Sequence, residues 1–254
     1  MKIVINIFFI TSLLAGDSTS YYKGITLFDQ RAKDALGRKA NKKFIDQAII
    51  EFTKVSKEAN NALDAGIYLL RCYYFKGKFV ASDNESKKEI FSNGKELGEK
   101  LINSYPESAA VYYWYLVNLG SWAEVYGILS AAREGVASIM LDYSKKIIEL
   151  DSIYSDGGGY FMLGAVHLKS PYIPFFLTWP SKKESLKYLS LANVIGEATP
   201  SQVVYLSRAL FANNKKDEAI SLLQSLLKKD ISQSNKLEDL DQHKIAKDLL
   251  VDWK

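Results

Sequence analysis

A triplet of small or apolar residues, spaced by four and then by three positions, recurs along this chain and restricts the possible folds more than any other feature. Four clear copies and one looser copy, the third in order, are Ala48, Phe52 and Val55; Gly94, Gly98 and Leu101; Met140, Ser144 and Ile147; Ser185, Leu189 and Ala192; and Ala219, Leu223 and Leu226. Their last members are separated by 46, 46, 45 and 34 residues. Recurrence on this scale is typical of two-helix units that bury their apolar faces only by stacking on neighbours.

The recurrence predicts an all-α fold, an α-solenoid of about five helical hairpins with a C-terminal capping helix. Helices are expected over residues 21–40, 43–60, 62–75 and 86–105, then as a long helix that follows Trp122 and ends near Leu150, from Tyr160 to His167, and over 183–195, 201–213, 216–228 and 238–253. Gly77 is expected to end the third helix and Pro106 the fourth. Gly94 and Gly98 lie on one helix face, where a neighbouring helix can approach the backbone closely.

The first twenty residues have the pattern of a cleavable secretory signal. Lys2 precedes an apolar stretch, Ile3 to Leu14, which is too short to span a bilayer. Cleavage is expected after Ser20 or Ser18, and the alternative is an uncleaved helix resting on a membrane surface. Asp17 stands where a lipoprotein would carry its lipidated cysteine. We therefore expect residues 1–20 to be a signal peptide, and residues 21–254 to form an exported, soluble periplasmic repeat domain without a lipid anchor.

Charge and cysteine content exclude several classes of protein. Lysine and arginine number 33 against 29 acidic residues, and they are scattered, so no nucleic-acid partner is expected. Cys72 is the single cysteine, so an exported chain has no internal disulfide. Its apolar neighbours predict a buried, inert thiol rather than a nucleophile.

Other candidate sites have simpler structural interpretations. The turn from Asp156 to Gly159 lacks the lysine that follows a phosphate-binding loop, and Asp156 is expected to cap the next helix. His243 is expected to be exposed, and Glu238, Asp239 and Asp241 to form a solvated helix start. Two distant histidines without a cysteine or carboxylate cluster predict no metal site. We expect no catalytic residues, no cofactor and no enzyme activity.

Three prolines interrupt the segment after His167 and leave an aromatic loop, residues 170–181, that cannot be a regular helix. Its aromatic residues are Tyr172, Phe175, Phe176 and Trp179. They are predicted either to grip a partner or to cover a groove that holds an apolar ligand. The alternative is a flap packed on its own repeats.

A second candidate binding surface is the inner face formed by the first helix of each hairpin. It includes Tyr112, Tyr113, Tyr115, Tyr160, Tyr205 and Arg208. His167, at a repeat packing position in the core or the groove, is a further candidate. Tyrosine and arginine are enriched among residues that dominate binding energy. The alternative is that these side chains serve in packing.

The last two units resemble the tetratricopeptide repeat (TPR). The large, apolar and small positions of its first helix are matched at Tyr160, Leu163, Gly164 and His167, and again at Val203, Leu206, Ser207 and Leu210; those of its second helix are matched at Ser185, Leu189 and Ala192, and at Ala219, Leu223 and Leu226. The final step of 34 residues is the length of that repeat. The earlier units are about a dozen residues longer, which indicates extended helices or insertions in their turns.

Residues 90–230 also resemble the helical T-component family of TRAP-type uptake systems. The matching residues are Gly157, Gly158, Leu163, Gly164, Pro171, Lys187, Tyr188, Leu189 and Ala192. The resemblance implies an exported, non-catalytic accessory of periplasmic solute uptake whose partner is a solute-binding protein. The alternative is a TPR adaptor for cell-envelope assembly that has no small-molecule ligand.

Overall fold

A computed structural model describes residues 18–55, 57, 59–173, 175 and 177–253. Most of the predicted signal peptide, residues 1–17, lies outside this range. The helices are α1 (18–29), α2 (Lys42–Thr53), α3 (Ala62–Phe75), α4 (Asn84–Ser104), α5 (Ala109–Tyr126), α6 (Ile128–Arg133), α7 (Val136–Leu150), α8 (Tyr154–Lys169), α9 (Lys182–Ile195), α10 (Pro200–Ala212), α11 (Lys216–Leu226) and α12 (Lys236–Asp252).

The predicted all-α class is confirmed, and the described residues contain no β-sheet. Their extended pairings are two isolated bridges, Leu36 with Lys39 and Ile173 with Leu177. Along the described chain, helices pair as the hairpins α1/α2, α3/α4, α5/α7, α8/α9 and α10/α11, followed by α12. This is the architecture of α-solenoid repeats, because each hairpin presents one apolar face to the next.

The chain forms two compact units. The first contains the described residues up to Pro106 together with Val117–Val125. Its core is apolar, and Phe52, Phe75 and Leu70 are among its most deeply buried side chains. Gly94 lies directly against the Asn118 side chain, which donates a 3.0 Å hydrogen bond to the Leu70 carbonyl. The predicted close approach at Gly94 is therefore confirmed, and a methyl group at this position would collide with Asn118.

The second unit contains Glu107–Leu116 and the chain from Tyr126 onward. Within it, α8 is buried on nearly all sides, and a Cβ atom at Gly164 would lie only 2.6 Å from Leu189 Cγ of α9. Helix α12 packs on α10 and α11, where Ala246 joins Val204 and Leu223 in one buried cluster. The predicted C-terminal cap is confirmed.

The first helix is shorter than predicted. It ends at residue 29 instead of 40, and a turn with positive φ at Asp34 and Gly37 follows. Leu36, which was expected on the apolar side of this helix, is 84% exposed. The apolar spacing in the sequence continues past the point where the backbone leaves the helical conformation, and this is why the periodicity was misleading.

Gly77 does not end a helix, contrary to the prediction. After α3 the chain continues as a π-helix, Lys76–Val80. Gly77 is buried there because the Phe91 ring of α4 packs on its backbone, with Cε1 only 2.5 Å from where a Cβ would stand. The glycine therefore provides a packing position rather than a stop signal.

The long helix predicted after Trp122 ends at Leu150 as expected, and two glycines separate it from Trp122. Gly127 and Gly135 have φ angles of 85° and 66° and enclose the six-residue helix α6, which has no buried residue. L-residues rarely adopt such angles, so these glycines break the helix. Helix α6 is one of the insertions that lengthen the earlier repeats.

Candidate functional site

The best-formed candidate surface lies where the first helices of the last two hairpins, α8 and α10, meet. The Tyr205 ring of α10 is half-buried and receives Phe161 of α8 edge-on at 5.2 Å. Two cations approach the same ring: Lys169 Nζ lies 5.6 Å and Arg208 Cζ 5.7 Å from its centroid. Such cation–π contacts hold the aromatic and basic groups in a defined arrangement. We call Phe161, Lys169, Tyr205 and Arg208 the first-helix surface.

Of these four residues, the sequence predicted Tyr205 and Arg208 and missed Phe161 and Lys169. The signal was present, because residues 161 and 169 are eight positions apart and lie on one face of a helix. Arg208 is half-buried and Lys169 is exposed. The surface can therefore offer an aromatic ring and two positive charges to an acidic or aromatic partner.

His167 stands at the end of α8 in an aromatic cluster. The Trp179 ring packs edge-on against its imidazole at 5.0 Å, and the Tyr188 ring is stacked on it at 5.9 Å. A hydrogen bond also joins the imidazole to the Trp179 backbone. Burial lowers the His167 pKa, with Lys145 adding to the effect and Glu184 opposing it. The cluster fixes the base of the aromatic loop on its own hairpin.

The tip of the aromatic loop projects into solvent. Ile173 and Leu177 exchange two backbone hydrogen bonds of 2.8 Å and so close a tight hairpin. Phe175 between them is 97% exposed and Tyr172 is 63% exposed. Phe176, the remaining predicted contact residue here, lies outside the described residues. The loop thus combines a packed base at Trp179 with an exposed apolar tip, so neither a groove cover nor a fully packed flap describes it.

The tyrosines of α5 have different surroundings. Tyr115 is buried, and so is Tyr112, whose ring lies edge-on to Tyr143 at 4.9 Å. Packing, the alternative given above, is therefore the role that burial supports for both. Tyr113 is half-buried with its ring over Gly158, and burial raises the pKa of its phenol. Tyr160 is half-buried on α8.

The backbone is left-handed within the first turn of α8, and Asp156 does not cap the helix as predicted. Ser155, Asp156 and Gly157 have φ angles of 52°, 55° and 78°. The Asp156 carboxylate instead accepts a 3.2 Å hydrogen bond from the backbone N–H of Glu197. The backbone carbonyl of Asp156 accepts a hydrogen bond of 2.7 Å from Gln202 Nε2. The carboxylate therefore ties this turn to the start of the next hairpin.

Two acidic residues at the start of α12 are buried, which corrects the prediction of a solvated helix start. Asp239 accepts a 3.0 Å hydrogen bond from the Ser232 backbone N–H, and burial raises its pKa. Asp241 is buried as well, and His243 is half-buried instead of exposed. Because α12 packs on α10 and α11, the Asp239 and Asp241 side chains are shielded from water.

Cys72 is fully buried in the first unit, and burial raises the pKa of its thiol. The predicted burial of Cys72 is confirmed, and a thiol that stays protonated is a poor nucleophile. In the same unit a cavity of about 230 Å³ is lined by Lys23, Leu27, Gln47, Ile50 and Glu51. Lys23 and Glu51 form a 2.7 Å ion pair, so this cavity is not the apolar pocket expected of a carrier for apolar ligands.

Among the described residues, no group of three or more histidine, cysteine or acidic side chains is placed to hold a metal.

The stacked hairpins form an all-α fold similar to that of a solved TPR protein. A thermophilic TPR protein of Thermus thermophilus superposes with a TM-score of 0.59 and 14% identity over 93% of this chain and 98% of that chain. Yeast Tom70 gives a TM-score of 0.49 and 18% identity over 92% of this chain and 40% of its own. No family model matches the sequence.

Two relatives are identified from sequence. Regulator of microtubule dynamics protein 3 of Rattus norvegicus is 28% identical over 174 residues, which are 68% of this chain and 34% of the rat protein. The protein of the same name from Mus musculus is 33% identical over 104 residues, or 41% of this chain and 20% of the mouse protein. The matched region thus spans about a third or less of each relative. Within the described part of the chain, no helix has both the length and the apolar character required to cross a membrane.

Proposed function

We propose that this protein is an exported, non-catalytic binding scaffold that serves periplasmic solute uptake by docking a substrate-binding protein. The observation that carries the binding role is the first-helix surface, where two cations approach one tyrosine ring. Tyrosine and arginine in partly desolvated settings are the residues that most often dominate binding energy. Tyr160, half-buried on the same helix as Lys169, extends the candidate surface.

The partner assignment is supported by the resemblance to the T-component family. The matching residues cluster in α8 and α9, the hairpin that contributes Phe161 and Lys169 to the first-helix surface. In this proposal, residues 1–20 are a signal peptide, and residues 21–254 act in the periplasm without a lipid anchor. The proposal includes no catalytic residue, metal or cofactor.

Site-specific crosslinking tests the proposal. A photo-crosslinking amino acid replaces Tyr205 in producing cells, and covalent adducts are identified by mass spectrometry. We expect an adduct with an exported solute-binding protein. The matched control places the same group at Ser190, which is exposed on α9 outside this surface. Equal adducts at both positions, or none at position 205, would contradict docking at the first-helix surface.

A second candidate is a TPR adaptor for cell-envelope assembly without a small-molecule ligand. One observation favours it over a carrier of apolar molecules: the tip of the aromatic loop points to solvent, with Phe175 97% exposed. Under this alternative the Tyr205 adduct would contain an envelope assembly protein, and native mass spectrometry of gently purified protein would detect no bound small molecule.

A further inference from the structure

Two exposed apolar segments of the second unit emerge at the same end of its helices. One consists of Tyr126, Ile128 and Leu129, at and before α6, and the other of Tyr172, Ile173 and Phe175 in the aromatic loop. Ile128 is 65% and Leu129 73% exposed, although isolated exposed apolar residues are more usual on protein surfaces. We call these six residues the apolar edge.

The antiparallel pairing of α7 and α8 brings the segments together. Gly159 near the start of α8 packs on Ile147 and Ile148 near the end of α7. Since the two helices run in opposite directions, Lys169 at the end of α8 lies level with the first residues of α7. Helix α6 precedes α7 and the aromatic loop follows α8, so the two segments emerge at the same end of this helix pair.

Neither segment contributes to folding in a way that explains its apolar residues. Helix α6 buries no residue. Phe175 is almost wholly exposed and has a φ of 67°, a conformation in which glycine or asparagine would be less strained. Because the Phe175 ring makes no contribution to the core, we infer that it contacts something outside this chain when the protein functions.

Positive charge surrounds the apolar edge. Lys169 precedes the aromatic loop, Lys182 and Lys183 follow it, and all three are exposed. The loop itself, residues 170–181, contains no acidic residue. The turn between α10 and α11 adjoins the same end, because Asn213 donates a 2.8 Å hydrogen bond to the Lys182 carbonyl. Acidic groups are present as well: Glu184 pairs with Lys187, and Glu134 follows α6.

The opposite end of the unit differs in chemistry. There the link between α7 and α8 exposes Ile153 beside Asp151, and Val194 is exposed near the end of α9. The turn before α10 adds Glu197, whose backbone bonds Asp156. Acidic groups therefore lie beside Ile153, where lysines border the aromatic loop at the other end.

We propose that the apolar edge seats on an anionic lipid bilayer. Aromatic and aliphatic side chains enter the boundary between headgroups and acyl chains, where Tyr and Phe are favoured. The three flanking lysines remain in water and are attracted to the negative surface, an attraction that decays within a Debye length. Short projecting segments suit a bilayer, because apolar side chains can insert between lipids without a complementary pocket. Of the first-helix surface, Lys169 alone borders the apolar edge, and Phe161, Tyr205 and Arg208 take no part in this contact.

Site-specific fluorescence tests the proposal on the full chain. Buried Cys72 does not react, so an environment-sensitive dye can be attached after Phe175→Cys or Leu129→Cys, with Ile153→Cys as the matched exposed control at the opposite end. Vesicles of phosphatidylcholine with one-quarter phosphatidylglycerol are added, and vesicles of phosphatidylcholine alone serve for comparison. We expect the dye at 175 and at 129 to move into an apolar environment only with the anionic vesicles, and the dye at 153 to stay in water.

Charge reversal at the lysines that follow the aromatic loop is the second test. Lys182→Glu with Lys183→Glu should raise the vesicle concentration needed for half-maximal response at least tenfold. Asp217→Lys with Glu218→Lys, a control with the opposite change of charge, should not raise it. A dye at 175 that stays in water while the protein floats with vesicles would overturn the proposal, since another segment would then anchor the chain. A response at 175 without one at 129, or an equal response to neutral vesicles, would overturn it too.

Discussion

Replacing Gly164 by alanine tests the helix packing of the second unit, because two effects of known size oppose each other there. Alanine raises helix propensity by about 1 kcal/mol relative to glycine. The new methyl group, however, would lie 2.6 Å from Leu189 Cγ and 2.9 Å from the Leu189 backbone nitrogen. A backbone atom cannot swing aside as a flexible side chain can. Overpacking of this kind costs about 1–3 kcal/mol, and a contact with a backbone atom falls in the upper part of that range. After the gain in propensity is subtracted, we expect Gly164→Ala to lower the free energy of unfolding by about 1–2 kcal/mol.

A double-mutant cycle separates the clash from other effects. Leu189 is fully buried, and Leu189→Ala alone should cost about 2–5 kcal/mol through lost packing and the cavity it leaves. In the double variant the methyl group at position 164 fills part of that cavity and no longer meets Leu189 Cγ. The combined loss should therefore be smaller than the sum of the single losses by about 0.5–3 kcal/mol.

Urea unfolding followed by far-ultraviolet circular dichroism measures these differences, with Ser190→Ala on the exposed side of α9 as a control for general changes in helix propensity. A Gly164→Ala protein that is as stable as the parent, or more stable, would refute the close approach of α8 and α9. Strict additivity in the cycle would refute the contact with the Leu189 side chain.

Other predictions use the same unfolding assay. Phe175→Ser should change the free energy of unfolding by no more than about 0.5 kcal/mol, because the ring is 97% exposed; a large loss would make the tip structural. Thr199→Ala should cost about 1 kcal/mol, since its hydroxyl accepts from the Gln202 N–H in a capping box, and an unchanged midpoint would contradict this role. Burial raises the Asp239 pKa, so the folded state retains its proton more firmly and stability is lost as pH rises from the unfolded value through the folded one; Asp239→Asn should flatten that dependence, whereas exposed Asp217→Asn should not.

The repeat pattern predicted the hairpins because its small positions are those where helices touch. Gly94 and Gly164 each lie against a side chain of a neighbouring helix, and Ser185, Leu189 and Ala192 are all buried. Such positions leave a signal within a short window of sequence, since their spacing follows the helical period.

Helix ends and surface contacts were less predictable. Leu36 continues the apolar spacing of α1, yet the backbone has already turned at Asp34. A glycine can break a helix, as at Gly127, or accept a neighbouring ring, as at Gly77, and the outcome depends on whether another helix packs on its backbone. Burial of Asp239 depends on how α12 packs on earlier helices, which no local pattern records.

The candidate binding residues fall into buried and partly exposed groups for the same reason. Composition identified tyrosines as candidates, but burial of Tyr115 and partial exposure of Tyr205 depend on the neighbours that each helix meets in space. Lys169 and Phe161 were missed because they acquire a possible role only through their contacts with Tyr205, a residue of another hairpin.

The affinity of the crosslinked partner for the Arg208→Ala variant tests the binding account most directly. Arg208 is half-buried against Tyr205, and its truncation removes both a charge and the contact that orients the ring. We predict a dissociation constant at least tenfold higher than for the parent, equivalent to about 1.4 kcal/mol, with thermal stability nearly unchanged. An unchanged dissociation constant for a correctly folded Arg208→Ala protein would contradict the claim that this surface holds the partner.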